Sequence, residues 1–489
     1  MRLRSGRLIR LNNEFMVMTS RFHGLHRLLE RLRGRGAQNV LEVLAPCLAE
    51  LAGLLAPIRE RTPTDADAAR LAERIEAYKP ELMQNIRQAR QRLVEQRPGE
   101  NDLLDFNTAA ELAFRFTDDL HNYALTHASL AEHHHAREQW KESFVARANP
   151  VAALVAGARS ALMIGLLGTF WIQTSWPHGG TFALTAVLIS ALSSTSPNPG
   201  RLSLQLTLGT LAGACTGLFV LLYLLPHVDG FPMLLCCLLP VFAVGALLLW
   251  RPQWNGYGVG LLVWFCFASL PANMARYDAL AFFNEYLALL LSMVLATVAA
   301  MVILPPNRPW MWKRLEHDLR ERVVFAISGK SRGLGSAFES GTRDLLNQAY
   351  GVAAGRPDVQ RGLLRWMFLV LEVGHAIIEL RREQERLPDE PCYAEAMPWR
   401  QAIRAMGRAL IRLFVRPGAE NLERALAAVD QAIHAARHTD EPCAPHFDSS
   451  PLRRVRSYLH FIRSSLLAPT SPLTELAGRT SGQGTVHAS

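Results

Sequence analysis

Between Val151 and Leu304 the chain carries only seven charged residues, Arg159, Arg201, Asp229, Arg251, Arg276, Asp278 and Glu285, among apolar and small side chains. About a quarter of the residues in a soluble domain are charged, so a stretch this poor in charge cannot present most of its surface to water. The sequence on either side is dense in Arg and Glu. Composition therefore divides the 489 residues into a helical domain over 1–148, a transmembrane domain over 149–305, a C-terminal helical domain over 306–468 and a Ser-, Thr- and Gly-rich tail over 469–489 expected to be disordered.

A membrane crossing needs roughly 20 apolar residues in helical form. Val151–Gln173, Leu202–Leu225, Phe231–Trp250 and Leu280–Leu304 meet that length, while Thr181–Ser193 and Tyr257–Leu270 fall short of it. The short runs follow Trp176-Pro177-His178-Gly179-Gly180 and Gln253-Trp254-Asn255-Gly256, whose amphipathic rings and turn formers extend a crossing into the interface. The expected fold is thus an all-α membrane protein, a bundle of about six transmembrane helices flanked by two cytoplasmic helical domains. Arg201, Arg251, Arg308, Lys313 and Arg314 fall on the side shared with the Arg-rich N-terminal part. His227 with Asp229 and Arg276 with Asp278 fall opposite, so both termini read as cytoplasmic. The first twenty residues hold basic side chains but no apolar core of a signal peptide.

The flanking parts repeat apolar residues at three and four. Leu71, Ile75, Tyr78, Leu82, Ile86, Ala89 and Leu93 form one such face, which Pro80 is expected to break or kink, and Leu363, Met367, Val370, Leu371, Val373 and Ile377 form another. The net charge of +9 comes from Arg interspersed with Asp and Glu, without the basic stripe and interleaved aromatics of a nucleic-acid surface. It fits segments beside an anionic leaflet.

Chemistry-bearing motifs are sparse. The seven cysteines show no CxxC and no metal-ligand spacing. Ser328-Gly329-Lys330-Ser331 ends like a P-loop, but Val324 stands where that motif needs glycine and a helix precedes it instead of a strand. His133-His134-His135, with His121 and His127, point around a helix and read as a solvated surface. No nucleophile with a base emerges, so neither an enzyme activity, a metal nor a cofactor is expected.

Inside the apolar runs two charges stand out. Arg159 lies roughly 12 Å from the start of its span and Glu285 roughly 8 Å from the start of its own, at about 1.5 Å per residue. Burying either costs on the order of 3 kcal/mol unless it faces a partner, water or the interface. Gly209, Gly213 and Gly217 place a smooth ridge on the third span, and Ala183, Ala186, Ser190 and Ser193 repeat the idea on the second.

Trp176-Pro177 with Gly179 before a short span, Ser193-Ser194-Thr195-Ser196-Pro197-Asn198-Pro199-Gly200-Arg201 after it, and Gly209-Thr210 with Gly213 opening the next resemble the second membrane half of the fusaric acid resistance and aromatic acid exporter family. The resemblance runs from Gly6 to Leu380. It implies an inner-membrane efflux subunit, proton-driven, for small aromatic carboxylic acids or related toxic compounds, working with a periplasmic adaptor and sometimes an outer-membrane channel. Family members have two six-span halves, each followed by a cytoplasmic helical domain. Met1 falls where the first such domain should start, so a homo-oligomer or pairing with a first-half partner is expected. The alternative is a non-transporting membrane scaffold or a truncated remnant. For an anionic aromatic substrate the candidate binding residues are Arg159, Trp176, His178 and Trp254, beside the two short spans, with Glu285 the candidate for proton coupling.

Overall fold

The computed structural model describes residues 5–56, 64–138, 150–196, 198–269, 279–303, 309–353, 356–439, 441 and 450–474, and every element among them is a helix. Residues 270–278, with Arg276 and Asp278, and also Arg308, Cys443 and residues 475–489 of the tail lie outside them. Before the apolar stretch come α1 (Ser5–Arg35), α2 (Gln38–Leu55), α3 (Asp65–Glu95) and α4 (Glu100–Ala128). The stretch itself forms α5 (Pro150–Thr174), α6 (Gly179–Ser194), α7 (Pro199–Phe219), α8 (Phe231–Trp250), α9 (Asn255–Ser269) and α10 (Ala279–Val302). After it follow α11 (Pro309–Ser328), α12 (Leu334–Val352), α13 (Pro357–Glu385), α14 (Pro398–Val415), α15 (Ala419–Arg437) and α16 (Pro451–Leu466).

The chain forms two compact units. The first gathers Met1–Ala146, Arg314–Leu346 and Arg361–Ser489, and the second Arg147–Lys313 with Asn347–Gln360. The two charged segments, expected as separate domains, thus contribute helices to one unit.

In the first unit, α3 starts at a capping box: Thr64 N donates to Asp67 Oδ2 at 3.0 Å, and Asp67 N donates back to Thr64 Oγ1. Its periodic face is buried from Leu71 to Leu93, and the helix runs through Pro80 without the break that was one of the two expected outcomes. Proline removes one intrahelical hydrogen bond, and the buried Ile75, Tyr78, Leu82 and Ile86 hold the turns on either side in place. The expected face of α13 is likewise buried.

Helix α2 is long and apolar enough to cross a membrane. It is nevertheless part of this unit, with Val40, Val43, Leu44, Cys47 and Leu51 buried and Tyr78 Oη of α3 donating to Cys47 O and Glu50 Oε2, both at 3.3 Å.

Alternating charges join α1, α4, α13 and α16 inside this unit. Arg453 donates to Glu111 at 3.1 Å, Arg115 bridges Glu111 at 3.0 Å and Glu383 at 2.8 Å, and Arg454 reaches Glu383 at 2.7 Å. Arg21 adds Asp119 and Glu379. Burial alone would raise the Glu111 carboxyl, but Arg453 and Arg115 together hold it below its ordinary value. Nearby, His460 Nε2 lies 2.6 Å from Asp105 Oδ1, both side chains buried.

In the second unit all six apolar runs are helices within a few residues of their expected bounds. Helix α10 is central: Tyr286, Leu289, Met293, Ala296 and Ala299 share a core with Met163 and Leu167 of α5, Phe182, Ala186 and Ile189 of α6, Leu206 of α7 and Trp264 of α9. Helix α8 buries only Leu238 and Gly245 among its described side chains and exposes Phe231, Leu235, Leu239 and Leu247. An apolar exterior of this kind suits lipid and not water. At 16 and 15 residues, α6 and α9 span about 24 and 22 Å, less than the ~30 Å hydrocarbon core.

Candidate functional site

Helices α7 and α9 run side by side in the same direction. Gly256 abuts Gln205, Gly260 abuts Leu206 and Thr210, and Gly213 abuts Leu261, so register advances along both together. A methyl group on Gly209 would lie 2.4 Å from the Tyr257 carbonyl oxygen, and one on Gly260 the same distance from the Leu206 carbonyl oxygen. Only glycine permits that approach. The ridge foreseen on the third span is therefore occupied within the bundle by α9, at Gly209 and Gly213, while Gly217 is also buried.

Helix α10 runs opposite to α7. Ser203 and Thr207 hydroxyls lie 2.9 and 3.0 Å from Thr297 Oγ1, and Thr210 Oγ1 donates to Met293 Sδ at 3.0 Å. All these polar atoms are buried between the two helices. At the far end of this seam Tyr286 Oη donates to Trp264 O at 2.6 Å, closing α10 onto α9.

These directions sort the expected site residues into two groups. Arg159, early in α5, lies against the end of α6, where its Nε donates to Ser190 Oγ at 3.3 Å and its Nη2 to Ser194 Oγ. It is 3% exposed, and among the described residues no carboxylate pairs with it. What it faces is two hydroxyls near the C-terminal end of α6, where the helix dipole places partial negative charge. Trp254 belongs to this end too, in the turn before α9, with the Arg251 guanidinium 5.1 Å from its ring centroid.

Trp176 and His178 stand at the opposite end, where α6 begins. The Trp176 ring packs on Phe182 at 5.6 Å and edge-on to His178 at 6.5 Å. Half-buried Glu285 lies at that end as well, six residues after the start of α10 at Ala279. The four candidate substrate residues thus line two ends of the bundle and not one pocket.

Two features escaped the sequence reading. Trp171 lays its indole over Gly179 and Gly180, where a methyl group would come within 2.2 and 3.2 Å of the ring. Arg201 and Arg251, used only for orientation, line a cavity at the Arg159 end.

The glycine turn after α11 is not a phosphate cradle. Arg381 donates to Ala326 O, Ile327 O and Gly329 O at 2.8, 3.0 and 2.7 Å, and to Ser331 Oγ at 3.1 Å, so the turn presents acceptors to a cation.

Apolar exteriors, a buried cation held by serine hydroxyls and hydroxyl-bonded helix seams define a multi-pass, all-α membrane protein. Its sequence assigns it further: the model of the Fusaric acid resistance protein family matches residues 1–473, and the chain belongs to that family. It is 44% identical over 257 residues to fusaric acid resistance protein FusC of Burkholderia cepacia, covering 53% of this chain and 74% of the relative. To fusaric acid resistance protein FusD of the same organism it is 46% identical over 194 residues, 40% of this chain and 93% of the relative. A p-hydroxybenzoic acid efflux pump subunit, AaeB of Yersinia pestis (strain Pestoides F), is 26% identical over 91 residues, 19% of this chain and 14% of the relative. No solved structure matches the chain. The protein is a membrane transporter related to efflux systems.

Proposed function

We propose that this chain is an inner-membrane efflux subunit that exports small aromatic carboxylic acids, driven by protons. In this reading 1–148 and 306–468 lie in the cytoplasm with both termini, and the span domain covers 149–305. A periplasmic adaptor, with an outer-membrane channel beyond it, and a second copy or a first-half partner complete the assembly. The name of the p-hydroxybenzoic acid efflux pump subunit supports the substrate class.

The observation that carries the reading is Arg159. A guanidinium buried among hydroxyls, with no carboxylate among the described residues, lacks its counter-charge. A planar carboxylate fits its fork bidentately and would supply that charge in transit. From there the substrate passes toward Trp176 and His178, and Glu285 at the far end exchanges the proton. Without titratable groups that change state between the two ends, proton coupling would have no carrier.

Uptake of radiolabelled p-hydroxybenzoate into inverted membrane vesicles with an imposed proton gradient tests this. Arg159→Gln should lower uptake at least about tenfold, as expected from losing charge-assisted hydrogen bonds of about 1.5–3 kcal/mol, with protein level in the membrane unchanged. Glu285→Gln should abolish the response to the gradient and leave counterflow. Wild-type uptake by the Arg159 variant would remove that residue from the path, and inert wild-type vesicles would refute the export reading.

A further inference from the structure

A cavity of about 1210 Å3 opens where α7 and α9 begin, at the same end of the second unit as Arg159. Arg201 and Arg251 line it, no carboxylate does, and neither arginine forms an ion pair among the described residues. Its polar floor is built: Gln205 Nε2 donates to the Gln253 carbonyl at 2.8 Å, and Asn198 Oδ1 accepts from Arg201 N at 3.2 Å, capping α7. The stack on Trp254 fixes the Arg251 guanidinium. The first turns of α7 and α9 add partial positive charge to that of the two guanidinium groups. Leu192, Leu202, Leu206 and Val259 supply apolar wall. Leu192 lies on α6 between Ser190 and Ser194, the residues that hold Arg159, so the wall continues into the buried cation's surroundings.

Two cations, apolar walls and no acid select an amphipathic anion. Small-molecule pockets that enclose their ligand measure about 300–1,000 Å3, so a larger, open cavity admits such an anion without clamping it. We propose that this cavity is a capture site, in which Arg201 and Arg251 hold the carboxylate of an aromatic acid before it reaches Arg159. The proposal rests on the reading of the chain as an exporter of aromatic acids. An anionic lipid headgroup offers the same chemistry from the bilayer, and the test separates the two.

The full chain is placed in nanodiscs of phosphatidylcholine, and radiolabelled salicylate binding is measured by equilibrium dialysis. The double variant Arg201→Gln/Arg251→Gln should bind at least about tenfold more weakly than wild type, and each single variant about threefold. All variants should elute as wild type does on size exclusion. Unchanged affinity in the double variant overturns the proposal. So does a wild type that binds no salicylate yet co-purifies with phosphatidylglycerol that the double variant loses, since the cavity would then belong to a lipid. Binding is read apart from transport: a chain that captures salicylate through both arginines but moves nothing refutes the exporter alone, whereas full export with both arginines replaced refutes the capture site.

Discussion

The two units bury polar groups by opposite means. In the first, Glu111, Arg115, Glu383, Arg453 and Arg454 neutralise one another across α4, α13 and α16. In the second, Ser203, Thr207 and Thr297 share hydroxyl hydrogen bonds between α7 and α10, and Arg159 donates to serine hydroxyls with no carboxylate beside it among the described residues. The solvents account for the difference. Water-exposed helices bury an apolar face through the hydrophobic effect and can carry paired charges at the seam. Lipid gives no such drive between helices, so close backbone contact and hydroxyl bonds hold them instead. An isolated charge that survives in the second setting therefore points to function more strongly than any charge in the first.

Removing one member of the ion network gives the largest expected effect. Glu111→Ala leaves Arg453 and Arg115 facing each other in a buried site, at a cost of about 3–5 kcal/mol, and should show as loss of the unit's cooperative thermal unfolding in detergent. The contrast between units breaks if this variant melts like wild type.

Next comes the glycine seam. Gly209→Leu drives a side chain into the Tyr257 carbonyl, which lies 2.4 Å from where a Cβ would sit, and should cost about 1–3 kcal/mol and lower the detergent Tm. An unchanged Tm would mean that α7 and α9 separate readily.

The smallest effect belongs to the hydroxyl cluster. Thr297→Val removes hydrogen bonds to Ser203 and Thr207 while keeping shape, and should cost about 0.6 kcal/mol, near the average for such bonds within membranes. A loss as large as that of Glu111→Ala would show that hydroxyls, not backbone contact, secure the bundle.

The sequence made the bundle legible because a membrane imposes its signal residue by residue: the gap in charge located all six helices, and α8 matches Phe231–Trp250 to the residue. Pairings were not legible. The Gly209 ridge announced a close neighbour but not that Tyr257 and Gly260 would be it, since a ridge specifies distance and not partner. Joining of the charged segments into one unit was hidden for a similar reason, because Glu111 meets Arg453 across most of the chain. Arg159 was recognisable as out of place in an apolar run, whereas Ser190 read as a packing residue and Ser194 as part of the Ser193–Arg201 motif until the fold set them beside it. Arg201 and Arg251 carried a topological signal that masked their shared cavity.

The contact between α7 and α9 also has a mechanical side. Where main chain rests on main chain at Gly209 and Gly260, no flexible side chain lies between to absorb a twist or a slide. The two helices form one close-packed pair that runs from the Arg201 and Arg251 mouth to Trp264, whose carbonyl accepts from Tyr286, one residue from Glu285.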